Sequence, residues 1–211
     1  MEEKMYSYKY PHPAVTADNV IFGFDNNDLN ILLIKRKLEP YKDYWAFPGG
    51  FMNIDETIEE CAARELKEET NFKAERMEQL MVFSSVDRDP RERVITVAFL
   101  ALVRMQEVKG GDDAREAKWF KLKDIPQLAF DHKNILRVAL NRLKEKIQLE
   151  PICFELLGKE FTTTQLQRLH EAILGVKFDT RNLLRKMNNL GILDKTEKNQ
   201  QSEEKETENL P

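Results

Sequence analysis

The longest apolar and β-branched runs fall in the first half of the chain. Ala14–Phe24 (AVTADNVIFGF) and Leu29–Arg36 (LNILLIKR) each read as a strand, separated by a turn at Asp25-Asn26-Asn27-Asp28. The second run is apolar at successive positions, as in a strand buried on both faces. Met77–Val86 and Val94–Val103 read as an antiparallel pair, and Ala117–Leu122 as a further short strand. Helical spacing takes over at 131–148, where Leu136, Ala139, Leu140 and Leu143 share one face. It returns after Pro151: Thr162 and Gln165 form a capping box ahead of Leu166, Leu169 and Ile173, ending at Gly175. Asp179 then opens a run with Leu183, Leu184, Met187 and Leu190 that stops at Gly191. This order of elements predicts an α/β domain with a mixed sheet, followed by a small helical unit that resembles a helix-turn-helix.

One further helix stands apart. Between Gly49 and Phe72 the chain reads GGFMNIDETIEECAARELKEETNF, with Asp55 or Thr57 placed to cap its start. Ile58 and Ala62 define an inward face, and the same face continues into Glu65 and Glu69, with Glu68 alongside and Arg64 just before. A solvated acidic face accounts for Glu59 and Glu60. It does not account for carboxylates in line with Ile58 and Ala62, because clustered anions facing a protein body are costly without a cation between them. Hard oxygen donors in this pattern suit Mg2+ or Mn2+, particularly with a substrate phosphate completing the shell.

Gly50, five residues, Glu56, seven residues and then Arg64-Glu65-Leu66-Lys67-Glu68-Glu69 resembles the signature box of the Nudix hydrolases. One element departs: Asn71 and Phe72 stand where the family carries glycine and an aliphatic residue. Asparagine tolerates the left-handed conformation of a helix C-cap, so the charged positions are undisturbed. The resemblance implies a Nudix α/β/α sandwich over 14–148, after an N-terminal segment 1–13. It also implies a winged-helix-like helical domain over 149–193, of the kind appended to Nudix-related transcriptional regulators. Residues 194–211 are polar and acidic and read as a disordered tail.

By the same resemblance, Glu65, Glu68 and Glu69 hold the Mg2+ or Mn2+ ions. Glu68, Glu69 and Arg64 are the catalytic candidates, with Arg64 orienting the carboxylates and Glu56 supporting the loop or an outer metal shell. Another acid is expected near the Gly110–Asp113 turn, with Glu116, Asp112 and Asp113 as candidates. Gly49 and Gly50 let the backbone approach a ligand. Arg36 and the loop arginines Arg88, Arg91 and Arg93 are candidates for the phosphates, since guanidinium makes bidentate phosphate contacts. A similar arginine-rich DPR segment occurs in Nudix proteins that act on or sense ADP-ribose-like ligands.

Charge and cysteine content narrow the classes. A formal net charge of -4 leaves no global basic footprint for nucleic acid. Cys61 and Cys153 match neither a disulfide framework nor a zinc pattern and read as reduced and semi-buried. The absence of a long apolar run or a signal-like start leads to the expectation of a cytoplasmic protein. Two readings follow. In the first, the chain is a Mg2+-dependent hydrolase of a nucleoside diphosphate linked to another moiety, ADP-ribose foremost, and by family habit a homodimer. In the second, it is a ligand-sensing regulator that binds DNA through Arg181, Arg185 and Lys186. Over 149–193, six Lys/Arg stand against five Asp/Glu, a thin balance for phosphate neutralisation. The acidic box, intact in every charged position, favours the hydrolase.

Overall fold

The computed structural model describes residues 6–111 and 114–189, without the side chains of Lys186 and Asn189. At its centre lies β1 (Ala14–Phe24), eleven residues long and buried from Thr16 onward. Along its whole length β1 pairs in parallel with β6 (Val94–Arg104). Its other edge is shared. Phe22–Phe24 pair antiparallel with β2 (Leu29–Arg36), while Thr16–Asp18 pair antiparallel with the short β4 (Gly49–Phe51). Strands β3 (Trp45–Ala46) and β7 (Ala114–Lys121) extend the sheet beside β2, and β5 (Glu78–Phe83) closes the far edge beside β6. The result is a seven-stranded mixed sheet.

The two-residue period of β1 explains the layers, because successive side chains point to opposite faces. Val20, Phe22 and Phe24 face α2 (His132–Leu149) in a core that also holds Ile31, Leu33, Ile135 and Leu143. Ala17 and Ile21 face α1 (Ile58–Thr70), whose Cys61, Ala62 and Leu66 are buried. Asn19 sits on the α1 face and donates from Nδ2 to the Ala62 carbonyl (2.9 Å), while its buried Oδ1 has no hydrogen-bond partner among the described residues. On the opposite face, the same alternation places Thr16 and Asp18 in line with Val20. Both free cysteines are buried rather than semi-buried.

The helical unit after residue 149 is not a separate bead. Its helices α3 (Cys153–Leu157), α4 (Thr163–Leu174) and α5 (Thr180–Asn189) send Leu156, Leu166, Leu169, Leu183 and Met187 into the same core as Phe22 and Ile135. At the tip of the β1–β2 hairpin, the Gln165 amide donates to Asn26 (2.7 Å) and Arg168 to Asn27 (3.0 Å). The Thr162–Gln165 capping box forms, and Asp179 accepts from the Asn182 N–H (3.0 Å). Among the described residues no helix is long and apolar enough to cross a membrane. The polar segment 194–211, and with it any wing, lies outside the described residues.

Candidate functional site

Helix α1 is set by its ends. Thr57, not Asp55, is the N-cap, in a capping box with Glu60, and Asn71 closes the helix in the left-handed conformation (φ 53°). Strand β1 runs against β4 so closely that only glycine fits at position 49. A Cβ there would come within 2.1 Å of the Ala17 carbonyl oxygen, and the Gly49 N–H donates to Glu69 Oε2 (2.8 Å).

The carboxylates of α1 meet two different fates. Arg64 gathers three of its acidic neighbours, bonding Glu56 (2.6 and 2.9 Å), Glu65 (2.7 Å) and Glu68 (3.1 Å), and it also donates to the Phe51 carbonyl. That guanidinium draws the Glu56 carboxyl down to about 2. Glu69 instead lies buried beside the glycine loop. Desolvation first, and then the nearby Glu65 and Asp18, push its pKa up to about 8 against the opposing Gly49 N–H and the field of Arg36. Burial raises the Glu65 carboxyl as well, despite Arg64.

Glu65 and Glu69 face a cleft of about 340 Å3 lined by β1, the β2–β3 loop, β4 and the β5–β6 loop. The loop arginines divide in the same way as the acids. The guanidinium of Arg88 is almost wholly buried, bonded to Asp131 (2.8 and 3.2 Å) and to Asp18 (3.4 Å). Arg93 turns away to the Ser84 and Ser85 carbonyls (both 2.9 Å) and does not line the cleft. Only Arg91 keeps a partly exposed head in the cleft, braced by Asp89 (2.7 and 3.0 Å) and stacked near Phe51 and Phe130. Arg36 reaches the same cleft from β2, held by the Pro40 carbonyl (3.0 Å) and packed over Phe130 (4.8 Å). Burial and the neighbouring Arg91 hold its pKa below the ordinary arginine value, as expected of two guanidiniums waiting for an anion.

Two expected positions sit elsewhere. Glu68 is exposed and turned to Arg64, outside the cleft lining. Glu116 is exposed on β7. A register shift opposite Lys35–Arg36 resets the alternation there, so Ala114 and Ala117 point inward and Arg115 and Glu116 outward. Asp112 and Asp113 lie outside the described residues. Conversely, Asp18 and His132 belong to the cleft floor and were not anticipated. Buried His132 accepts the Phe47 N–H at Nδ1 (3.0 Å) and points Nε2 at Asp18 (3.5 Å), and burial keeps it neutral. The available signal was an aspartate within an otherwise apolar strand and a histidine at a helix start.

A hard divalent cation suits this donor set, since Glu65 and Glu69 are desolvated oxygens whose charged forms the protein alone supports poorly. As they stand, no three His, Cys, Asp or Glu side chains converge closely enough to hold one among the described residues.

The NUDIX domain family matches residues 12–140. The chain belongs to the Nudix family. A second family, the NrtR DNA-binding winged helix domain, matches residues 153–208, which extends past the boundary expected at 193. The chain is 48% identical over 128 residues to an ADP-ribose pyrophosphatase of Methanocaldococcus jannaschii, covering 61% of this chain and 73% of that protein. It is 34% identical over 193 residues to an ADPR responsive transcriptional repressor of Acinetobacter baylyi, covering 89% of this chain and 77% of that one. Shewanella oneidensis NrtR in complex with a 27mer DNA superposes with a TM-score of 0.72 at 30% identity, over 87% of this chain and 88% of that one. The Nudix α/β/α sandwich, the C-terminal winged-helix domain and the assignment as a Nudix pyrophosphohydrolase follow.

Proposed function

We propose that this Nudix protein hydrolyses the diphosphate of ADP-ribose in a Mg2+- or Mn2+-dependent reaction. The observation that carries the reading is the pairing, across one cleft, of the desolvated carboxylates Glu65 and Glu69 with the guanidiniums of Arg36 and Arg91. The 48%-identical ADP-ribose pyrophosphatase supports the choice of substrate.

Arg36 and Arg91 bind the diphosphate oxygens and hold them as charge spreads over the phosphoryl group. Glu65, Glu69 and, once released from Arg64, Glu68 would hold the divalent cation. Bound there, the cation would neutralise charge on the diphosphate and would lower the pKa of a water. The water oxygen bonds to one phosphorus while the bridging P–O bond breaks, giving a nucleoside monophosphate and a sugar phosphate. Arg64 keeps Glu65 in place, and Glu56 anchors Arg64. The Asp18–His132–Arg88–Asp131 network fixes the cleft floor.

A second reading has its own observation. The winged-helix unit shares a continuous core with the strands that carry Asp18 and Arg36. We infer a DNA-binding regulator that senses ADP-ribose in the same cleft, with exposed Arg181 and Arg185 of α5 and Lys186 meeting DNA, and a homodimer as the DNA-binding unit. The test is release of AMP and ribose phosphate from ADP-ribose with Mg2+, Mn2+ or chelator, in wild type and Glu69→Gln. Metal-dependent turnover lost in the variant supports hydrolysis. Ligand binding without turnover, together with ligand-sensitive binding of duplex DNA by a dimer in sedimentation, supports the regulator instead.

A further inference from the structure

A second cavity, of about 630 Å3, shares no lining residue with the cleft. Three pieces of chain meet there: the α1–β5 connection, the end of β6, and α3 with the turn that follows it. It therefore sits at the seam of the two domains, and its size suits a small-molecule ligand.

Its walls are apolar and its rim is cationic. Phe72, Leu102 and Val103 are buried along it, and Phe154 presents a half-exposed ring. Lys73, Arg76, Arg104 and Lys159 surround them, against only Glu75 and Glu155. That sign runs opposite to the net charge of -4 for the chain. Lys73, Arg104 and Lys159 have no hydrogen-bonded or ion-paired partner among the described residues. Unpaired cations gathered around an apolar floor are like-charge neighbours, an arrangement an anion relieves.

Gly158 lines the cavity at φ +92°, where any other residue would be strained, and the Arg104 guanidinium lies 3.4 Å from where its Cβ would be, an ordinary contact distance. Burial raises the Glu155 carboxyl against the pull of Arg76 and Lys146, which softens one of the two opposing charges.

We infer that this groove is a second ligand site, distinct from the Nudix cleft, for a nucleoside phosphate: the ring against Phe154 and Leu102, the phosphates on Arg104 and Lys159. The occupant spans both domains, so it ties α3 to the sheet.

The test uses the full chain, ATP as probe, and chelator to prevent turnover. Binding is followed by equilibrium dialysis in wild type and in the doubly substituted Arg104→Gln/Lys159→Gln, whose altered side chains are exposed and whose fold is checked by circular dichroism. The double variant is expected to lose one equivalent of ATP, or to bind it at least tenfold more weakly, while retaining wild-type turnover of ADP-ribose. Photolysis with 8-azido-ATP is expected to label peptides within 72–76, 102–106 or 153–159. Equal ATP binding by wild type and variant overturns the proposal, as do crosslinks confined to 36–53 and 88–91. Loss of duplex-DNA affinity in the variant with ATP binding unchanged also overturns it, in favour of a phosphate-backbone contact. Failure of wild type to hydrolyse ADP-ribose bears on the cleft alone and leaves each of these binding results readable.

Discussion

Two faces of helix α1 carry the same kind of side chain and make opposite use of it. Toward the surface, Arg64 ties down Glu56, Glu65 and Glu68 in a partly solvated cluster, and Glu56 is held strongly ionised. One turn further on, Glu69 is buried against Gly49 with no direct cationic contact, and its charged form is disfavoured. The Arg64–Glu56 pair is scaffold; Glu69, with the desolvated Glu65 beside it in the cleft, is a site waiting for a positive charge. The β5–β6 loop repeats the lesson with cations: Arg88 is consumed by Asp18 and Asp131, whereas Arg91 stays available in the cleft. A side chain that is fully satisfied inside the protein builds the fold, and one left wanting a partner does chemistry.

The largest effect should come from Glu69→Gln. Turnover of ADP-ribose is expected to fall by on the order of 10^3-fold or more in kcat, with the fold intact by circular dichroism. Retained wild-type turnover in pure protein would erase the distinction drawn between Glu69 and the Arg64 cluster. Next, Arg88→Ala leaves the buried Asp18 and the half-buried Asp131 without their cation. It is expected to cost about 3–5 kcal/mol in urea unfolding, the usual penalty for breaking a buried pair. A cost below about 1 kcal/mol would mean that Arg88 behaves as a surface residue.

The third prediction concerns pH. The Glu69 carboxyl titrates near 8 when folded and near its ordinary 4.5 when unfolded, so the native state binds more protons in between. Its contribution is therefore fully present below about pH 4.5 and is lost as pH rises through 8. Metal-free protein should lose about 1–3 kcal/mol of stability on this account between pH 5 and 9, and Glu69→Gln should flatten that slope. Glu56 has the opposite sign, its contribution present above 4.5 and lost only as pH falls through about 2, outside this window. A thermal melt rising steadily from pH 5 to 9 in the metal-free wild type would contradict the assignment.

The smallest effect separates the two exposed loop arginines. Arg91→Ala should raise KM for ADP-ribose about tenfold, the scale of one charge-assisted contact of about 1.4 kcal/mol. Arg93→Ala, bonded only to Ser84 and Ser85, should leave KM unchanged. Equal KM shifts in both variants would count against Arg91 as the ligand-facing member.

Much of this was legible in the residues themselves. Strand and helix periods, the capping residues Thr57 and Thr162, Asn71 as a left-handed cap and the carboxylate stripe on α1 are local matters, set by neighbours within a few positions along the chain. The spacing of the acidic box was sufficient to place Glu65 and Glu69 on one helical face. What the residues alone left open is how long-range packing partitions like groups. Asp89 stands two positions from Arg91, but nothing local says that Arg88 is taken by Asp131, 43 positions on, while Arg91 keeps its head in the cleft. Asp18 and His132 are 114 positions apart and meet only because β1 and the start of α2 share one face of the sheet. Glu116 turns outward because of a register shift between two strands, a feature with no signature in either strand alone. Periodicity determines which residues share a face; burial, which exists only once those faces have closed on one another, decides which charges are neutralised and which are left to bind.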